Sequence, residues 1–195
     1  MNKLKIITDQ EDAAFIILFW GEEPWKKLYK YLFFRRLKPL FSVRSLEELE
    51  ITFLDIEEKA AKYFAISALG KKALLTSELA KKMREKGISE ETLLKILTLC
   101  QKMGALEDRQ TLENRIQKEI RKGHGLRYAK AKLQRSIGNE SIDWESLDKE
   151  ELEKEALRNL INKKKEKKSE KELFLFLLRR GFRSQLIWEV LKSNR

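Results

Sequence analysis

Groups able to do covalent or proton-transfer chemistry are sparse in this sequence. His124 is its single histidine, set between Gly123 and Gly125 with no second ligand of suitable type and spacing, which argues for a surface-turn histidine and against a zinc site. Cys100 is its single cysteine. No base neighbours it, and it falls on the apolar side of a helical pattern, where it reads as a small core residue. One cysteine excludes an internal disulfide and suits a reducing compartment. The pairs Glu57-Glu58 and Glu90-Glu91 fall at expected helix starts, where the dipole favours carboxylates. Neither a Gly-x-x-x-x-Gly-Lys-[Ser/Thr] phosphate loop nor a Gly-x-Ser-x-Gly elbow occurs. With no nucleophile, base and stabiliser to assemble, no enzyme activity is expected, and no metal, cofactor or small-molecule substrate.

The chemistry that remains is electrostatic. Charged residues make up 37% of the chain, and its formal charge is +11. That charge is unevenly placed: residues 111–138 carry eight basic and two acidic groups, residues 139–160 three and eight, residues 161–195 eleven and four. Two basic patches flanking an acidic segment are the footprint of an acidic partner or a nucleic-acid backbone. Taken alone, the run Asn162-Lys-Lys-Lys-Glu-Lys-Lys168 is an ordinary solvated linker or helix end. In the neutral stretch 1–55, Trp20, Trp25, Tyr29, Tyr31, Phe33 and Phe34 are interleaved with Lys26, Lys27, Arg35 and Arg36. Such aromatics either stack on bases or fill a small core, and the core is the simpler account.

Those groups must be positioned by helices. Thr76 to Asp108 writes two helices and a joint: Thr76 is placed to cap the first, Gly87 ends it with Ile88 folding back on Met83, and Ser89 caps a second carrying Leu93, Ile96, Leu97, Cys100 and Met103 on one face. Gly104 ends that one. Near the C-terminus, Ser169-Glu-Lys-Glu172 is a capping box for a helix ending at Gly181, with Phe182 folding back on Leu177. A blurred version of the joint lies near Gly138. The expected class is mainly α: tandem three-helix repeats at 56–106, 107–147 and 148–195 forming an elongated curved body. Before them, 1–55 is expected to be a small α+β extension. Its Leu4–Ile7 and Ala13–Trp20 form a β-hairpin, Pro24 opens a helix through Arg36, and Ser45 caps a short helix carrying Leu46 and Leu49. The longest apolar run, Ala13 to Trp20, is too short to span a membrane as a helix, and the N-terminus lacks the apolar segment of a secretory signal. A cytoplasmic location follows as the expectation.

With the repeats laid out, the chain resembles the RecX family of regulatory proteins. Thr76-Ser-Glu-Leu79 with Lys86-Gly-Ile88, then Met103-Gly-Ala-Leu-Glu-Asp108, then Leu177-Leu-Arg-Arg-Gly-Phe182 are similar to that family's signatures, in their order and spacing. The serine usual three residues before Glu78 is Leu75 here, so Thr76 is expected to cap instead. The resemblance implies a monomeric, non-enzymatic protein that binds the RecA filament on single-stranded DNA and inhibits its extension, ATPase and strand exchange. Arg115, Lys118, Arg121, Lys122, Arg127 and Lys130, with Lys163, Lys164, Lys165, Arg179 and Arg180, are the candidate contacts to filament and DNA. Two other readings stand beside it. One is a winged helix-turn-helix regulator, disfavoured because Ala80 to Gly87 is seven residues against the usual four or so. Three extra residues rotate the second helix by roughly 300° and shift it by about 4.5 Å. The other is a general single-strand nucleic-acid binder using the aromatic N-terminal stretch.

Overall fold

The computed structural model describes residues 4–137, 142–144, 147, 149–164 and 169–193. It divides into two compact units, Met1–Glu107 and Asp108–Arg195.

The first unit opens with three antiparallel strands in the order β1-β2-β3: β1 (Leu4–Thr8), β2 (Phe15–Trp20) and β3 (Glu23–Tyr29). The β1–β2 hairpin is the expected one, with Leu4 opposite Trp20 and Thr8 opposite Ile16. Ile16 and Leu18 alternate into the core beside Leu28 of β3. The third strand corrects the helix expected from Pro24 through Arg36. Gly21, at φ 69°, reverses the chain so that Glu23 pairs with Trp20. Pro24 is tolerated because it lies on an edge strand at a register irregularity next to Leu18 and Phe19. Only Lys30–Phe33 (α1) is α-helical there, followed by two 3₁₀ turns at Phe34–Arg36 and Lys38–Ser42.

Helix α2 (Leu46–Lys71) corrects a second expectation. Ser45 does cap it, its hydroxyl accepting from Glu48 N–H at 3.1 Å, but the helix runs for 26 residues and passes straight through the expected boundary at 55/56. Leu49, Phe53, Ile56, Ala60 and Ala65 recur along it at helical spacing and are buried, and no proline interrupts. The sheet therefore shares one hydrophobic core with α2, α3 (Thr76–Arg84) and α4 (Glu90–Lys102), in which Phe33, Phe53, Met83 and Leu93 are fully buried. The chain leaves α4 through Gly104 and enters α5 (Asp108–Arg121) directly, so no strand follows the second helix of the pair as a wing would.

The second unit holds α5, α6 (Leu126–Ile137), α7 (Glu150–Lys164), α8 (Glu170–Arg179) and α9 (Ser184–Ser193). On α5 and α6 the buried apolar residues are Leu112, Ile116, Ile120, Leu126, Ala129 and Leu133, whereas Ile137 is half-buried. Helices α7, α8 and α9 enclose a core of Leu157, Ile161, Leu173, Leu177, Phe182, Ile187 and Val190. The capping box at α8 is complete: Glu172 Oε2 accepts from Ser169 N–H at 2.9 Å, and Ser169 Oγ from Glu172 N–H at 3.4 Å.

Both expected glycine joints are present. Ile88 N–H donates to Met83 O at 3.3 Å across Gly87, and Phe182 N–H donates to Leu177 O at 3.3 Å across Gly181. The same bond recurs at Ala105 to Cys100, and at His124 to Glu119 across Gly123. The blurred joint near Gly138 lies outside the described residues.

Candidate functional site

In the second unit the positively charged side chains hang on a scaffold built by two of these joints. Gly125 N–H donates to Arg180 O at 2.8 Å and Arg127 N–H to Gly181 O at 3.2 Å, so the α5–α6 joint lies backbone to backbone against the α8–α9 joint. A Cβ on Gly125 would lie 2.2 Å from the Gly181 carbonyl carbon, an approach only glycine permits. Arg180 fastens the pair from the side-chain direction. Its guanidinium donates to Gly123 O at 3.1 Å and Lys122 O at 3.5 Å and rests over the Phe176 ring at 5.1 Å. His124 is not the freely exposed turn residue expected: it is half-buried and stacked on Tyr128, ring centroids 4.2 Å apart. Burial, then the neighbouring Arg180 charge, push its pKa below the usual 6.5.

The candidate cations divide on this scaffold. Arg121, Lys122 and Lys163 come together along an open groove of about 450 Å³ that is also lined by Glu155, Asn159 and Leu160. Lys118 and Arg121 are exposed on α5, as are Arg127 on α6, Lys163 on α7 and Arg179 on α8, and no carboxylate among the described residues pairs with these five. Lys122 is exposed but salt-bridged to Glu119 at 2.8 Å. Lys132 joins from 3.1 Å, and the two ammoniums hold that carboxyl below the usual range. Lys130 is turned to a structural use, donating to Trp144 O at 2.8 Å. Arg115 and Lys164 are half-buried, and Arg180 is the clamp just described. Lys165 lies outside the described residues.

Two buried carboxylates escaped the sequence reading. Glu57 lies in the middle of α2, not at a helix start, and is completely buried. It accepts from Ser89 N–H at 3.1 Å, from the Ser89 hydroxyl, and from the Thr92 hydroxyl at 2.7 Å. Ser89 makes no cap bond of its own; the α4 N-terminus is capped across the fold by Glu57. Glu153 on α7 is equally buried, accepting from Leu126 N–H at 2.9 Å and from the Arg183 guanidinium at 3.0 Å. Ser89 and Arg183 occupy the same place, two residues past the joint glycines Gly87 and Gly181, so one device holds the last helix in both three-helix groups. The legible signal was a glutamate in register with an apolar stripe: Phe53, Glu57, Ala60 and Glu153, Leu157, Ile161. At α3 the cap falls on Leu75, not Thr76, and Glu78 supplies the reciprocal half by accepting from Leu75 N–H at 3.1 Å.

No protein-family model matches this sequence. Among curated proteins, the regulatory protein RecX of Haemophilus influenzae strain PittEE is 26% identical over 140 residues, 67% of this chain and 92% of that protein. The RecX of H. influenzae strain Rd KW20 matches to the same extent. Among solved structures, a crystal structure of regulatory protein RecX superposes with a TM-score of 0.57 at 14% identity, covering 98% of this chain and all of the other. Sequence relatives and backbone fold thus meet on one resemblance, and it is to the RecX regulatory proteins.

Proposed function

We propose that this chain is a non-enzymatic regulator that binds the RecA filament on single-stranded DNA and hinders its extension, ATP hydrolysis and strand exchange. The observation that carries this reading is the set of unpaired cations on α5 and α7, gathered at Arg121 and Lys163 along one groove, in a chain that resembles regulatory proteins in sequence and fold. A groove bordered by phosphates and acidic side chains is matched by ammonium and guanidinium groups that no carboxylate among the described residues neutralises. Lys118, Arg121, Arg127, Lys163 and Arg179 are the contacting residues. Lys130 and Arg180 act behind them by holding the helices, and Lys122 contributes a charge shared with Glu119.

The test adds purified protein to RecA on single-stranded DNA and follows ATP hydrolysis. Wild-type chain is expected to slow it, and the triple variant Lys118→Gln, Arg121→Gln, Lys163→Gln to do so only at several-fold higher concentration, with unchanged helical circular dichroism. Equal inhibition by both would remove these residues from the interface, and no inhibition by wild type would remove the function.

A further inference from the structure

A second charged surface lies in the first unit, on residues the filament reading does not use. Lys30, Tyr31, Phe34, Arg35, Arg36 and Tyr63 line an open groove of about 400 Å³, three cations and three rings with no carboxylate among them. The rings are not core residues that happen to show an edge: Tyr31 is 77% exposed, Tyr63 60% and Phe34 54%. They are nevertheless held in place. The Arg36 guanidinium sits 5.0 Å from the Tyr63 ring while donating to Leu32 O at 2.5 Å, and the Tyr31 ring lies 5.5 Å from Tyr29. Lys30 and Arg35 have no carboxylate partner among the described residues.

We propose that this surface binds single-stranded DNA, stacking unpaired bases on Tyr31, Phe34 and Tyr63 and holding the phosphates on Lys30, Arg35 and Arg36. Exposed rings alone would suit a protein partner; rings interleaved with unneutralised cations suit a polyanion with π-faces. A duplex offers no free base face, so it gains only the charge contribution. The contacts proposed here are to base faces and phosphates, which DNA and RNA share, so they build in no preference for a 2′-hydroxyl.

The experiment measures anisotropy of a labelled oligothymidylate with the full chain and no recombinase, so its outcome is independent of filament binding. Tyr31→Ala combined with Tyr63→Ala is expected to weaken single-strand binding by tenfold or more while leaving duplex binding unchanged, since each stacked base adds on the order of a tenfold factor or greater. Lys30→Gln with Arg35→Gln should make the slope of log K against log salt shallower by about 1.4, roughly 0.7 for each phosphate no longer neutralised. Both pairs replace exposed or partly exposed side chains outside the core, and equal unfolding midpoints confirm the fold. Wild-type affinity in the tyrosine variant, an equal loss for single strand and duplex, or tenfold tighter binding of oligouridylate would overturn the proposal. Ultraviolet cross-linking supplies a second reading: adducts are expected at Tyr31, Phe34 or Tyr63, and adducts confined to residues beyond 107 would overturn it.

Discussion

A buried carboxylate that caps a distant helix makes a sharper demand on its partners than any surface charge in this protein. Glu57 satisfies the Ser89 amide and two hydroxyls at once, and no water reaches it. Glu57→Ala leaves those donors without an acceptor in the interior and is expected to cost about 3 kcal/mol in urea unfolding. Glu57→Gln, which keeps one acceptor oxygen, should recover part of it. The surface pair Lys59–Asp55, both more than 60% exposed, should by contrast change stability by under about 0.5 kcal/mol when broken. His124 gives the second unit a pH dependence. Its pKa is lower in the folded state than the ordinary 6.5, so as pH falls the unfolded chain takes up the proton first. The His124 contribution to stability is expected to be complete above about pH 7 and to decline from 6.5 downward. Glu113, Glu119 and Glu150, held low by lysines, lose their contribution only below their usual 4.5. Urea midpoints between pH 7.5 and 5 should therefore slope in the wild type and flatten in His124→Gln; an unchanged slope would assign it elsewhere.

The joint is the recurrent device at the level of elements. Among the described residues, four helices end on a glycine with positive φ and a bond from the following amide to a carbonyl five residues back. That chemistry is local, so the joints at Gly87 and Gly181 can be read from the glycine and the apolar residues on either side. What two joints do to each other is not local. Gly125 looks like a spacer in the sequence, yet it is the point where α5–α6 meets α8–α9. Gly125→Ala is expected to force the two joints apart, costing at least the ~1–3 kcal/mol of an overpacked core, and to lower the second unit's unfolding midpoint. Gly70→Ala is the control: a Cβ there meets nothing within 4 Å, and the added helix propensity should leave stability equal or higher by up to about 1 kcal/mol. The two α3 and α4 caps make the same point. Thr76 and Ser89 carry the right side chains, but Glu78 and Glu57 accept the backbone amides there.

Across the whole molecule, the two units each enclose a hydrophobic core, one from the sheet through Leu106 and the other under α7, α8 and α9. Lesions in one core should then leave the other standing: Gly125→Ala is expected to split urea unfolding into two transitions, the earlier lacking the Trp20 and Trp25 fluorescence change, whereas a single shifted transition would show the cores to be coupled. By itself the sequence determined the helical class, the hairpin, the α8 capping box, the glycine joints and the absence of a helix long and apolar enough to cross a membrane among the described residues. The cap and the joints depend on residues within about six positions of one another, the hairpin on two runs joined by a short polar turn, and the rest on composition. Only the tertiary structure decided that Glu23–Tyr29 is a strand, that α2 is continuous through residue 56, that Glu57 and Glu153 are anchors, and which cations remain free. In each case the deciding partner lies on another element: an adjacent strand for β3, a shared core for α2, and for Glu57 an amide 32 residues away. A chain can advertise a cap or a turn in its own neighbourhood, but the use of a buried carboxylate or a surface lysine depends on what the fold brings beside it.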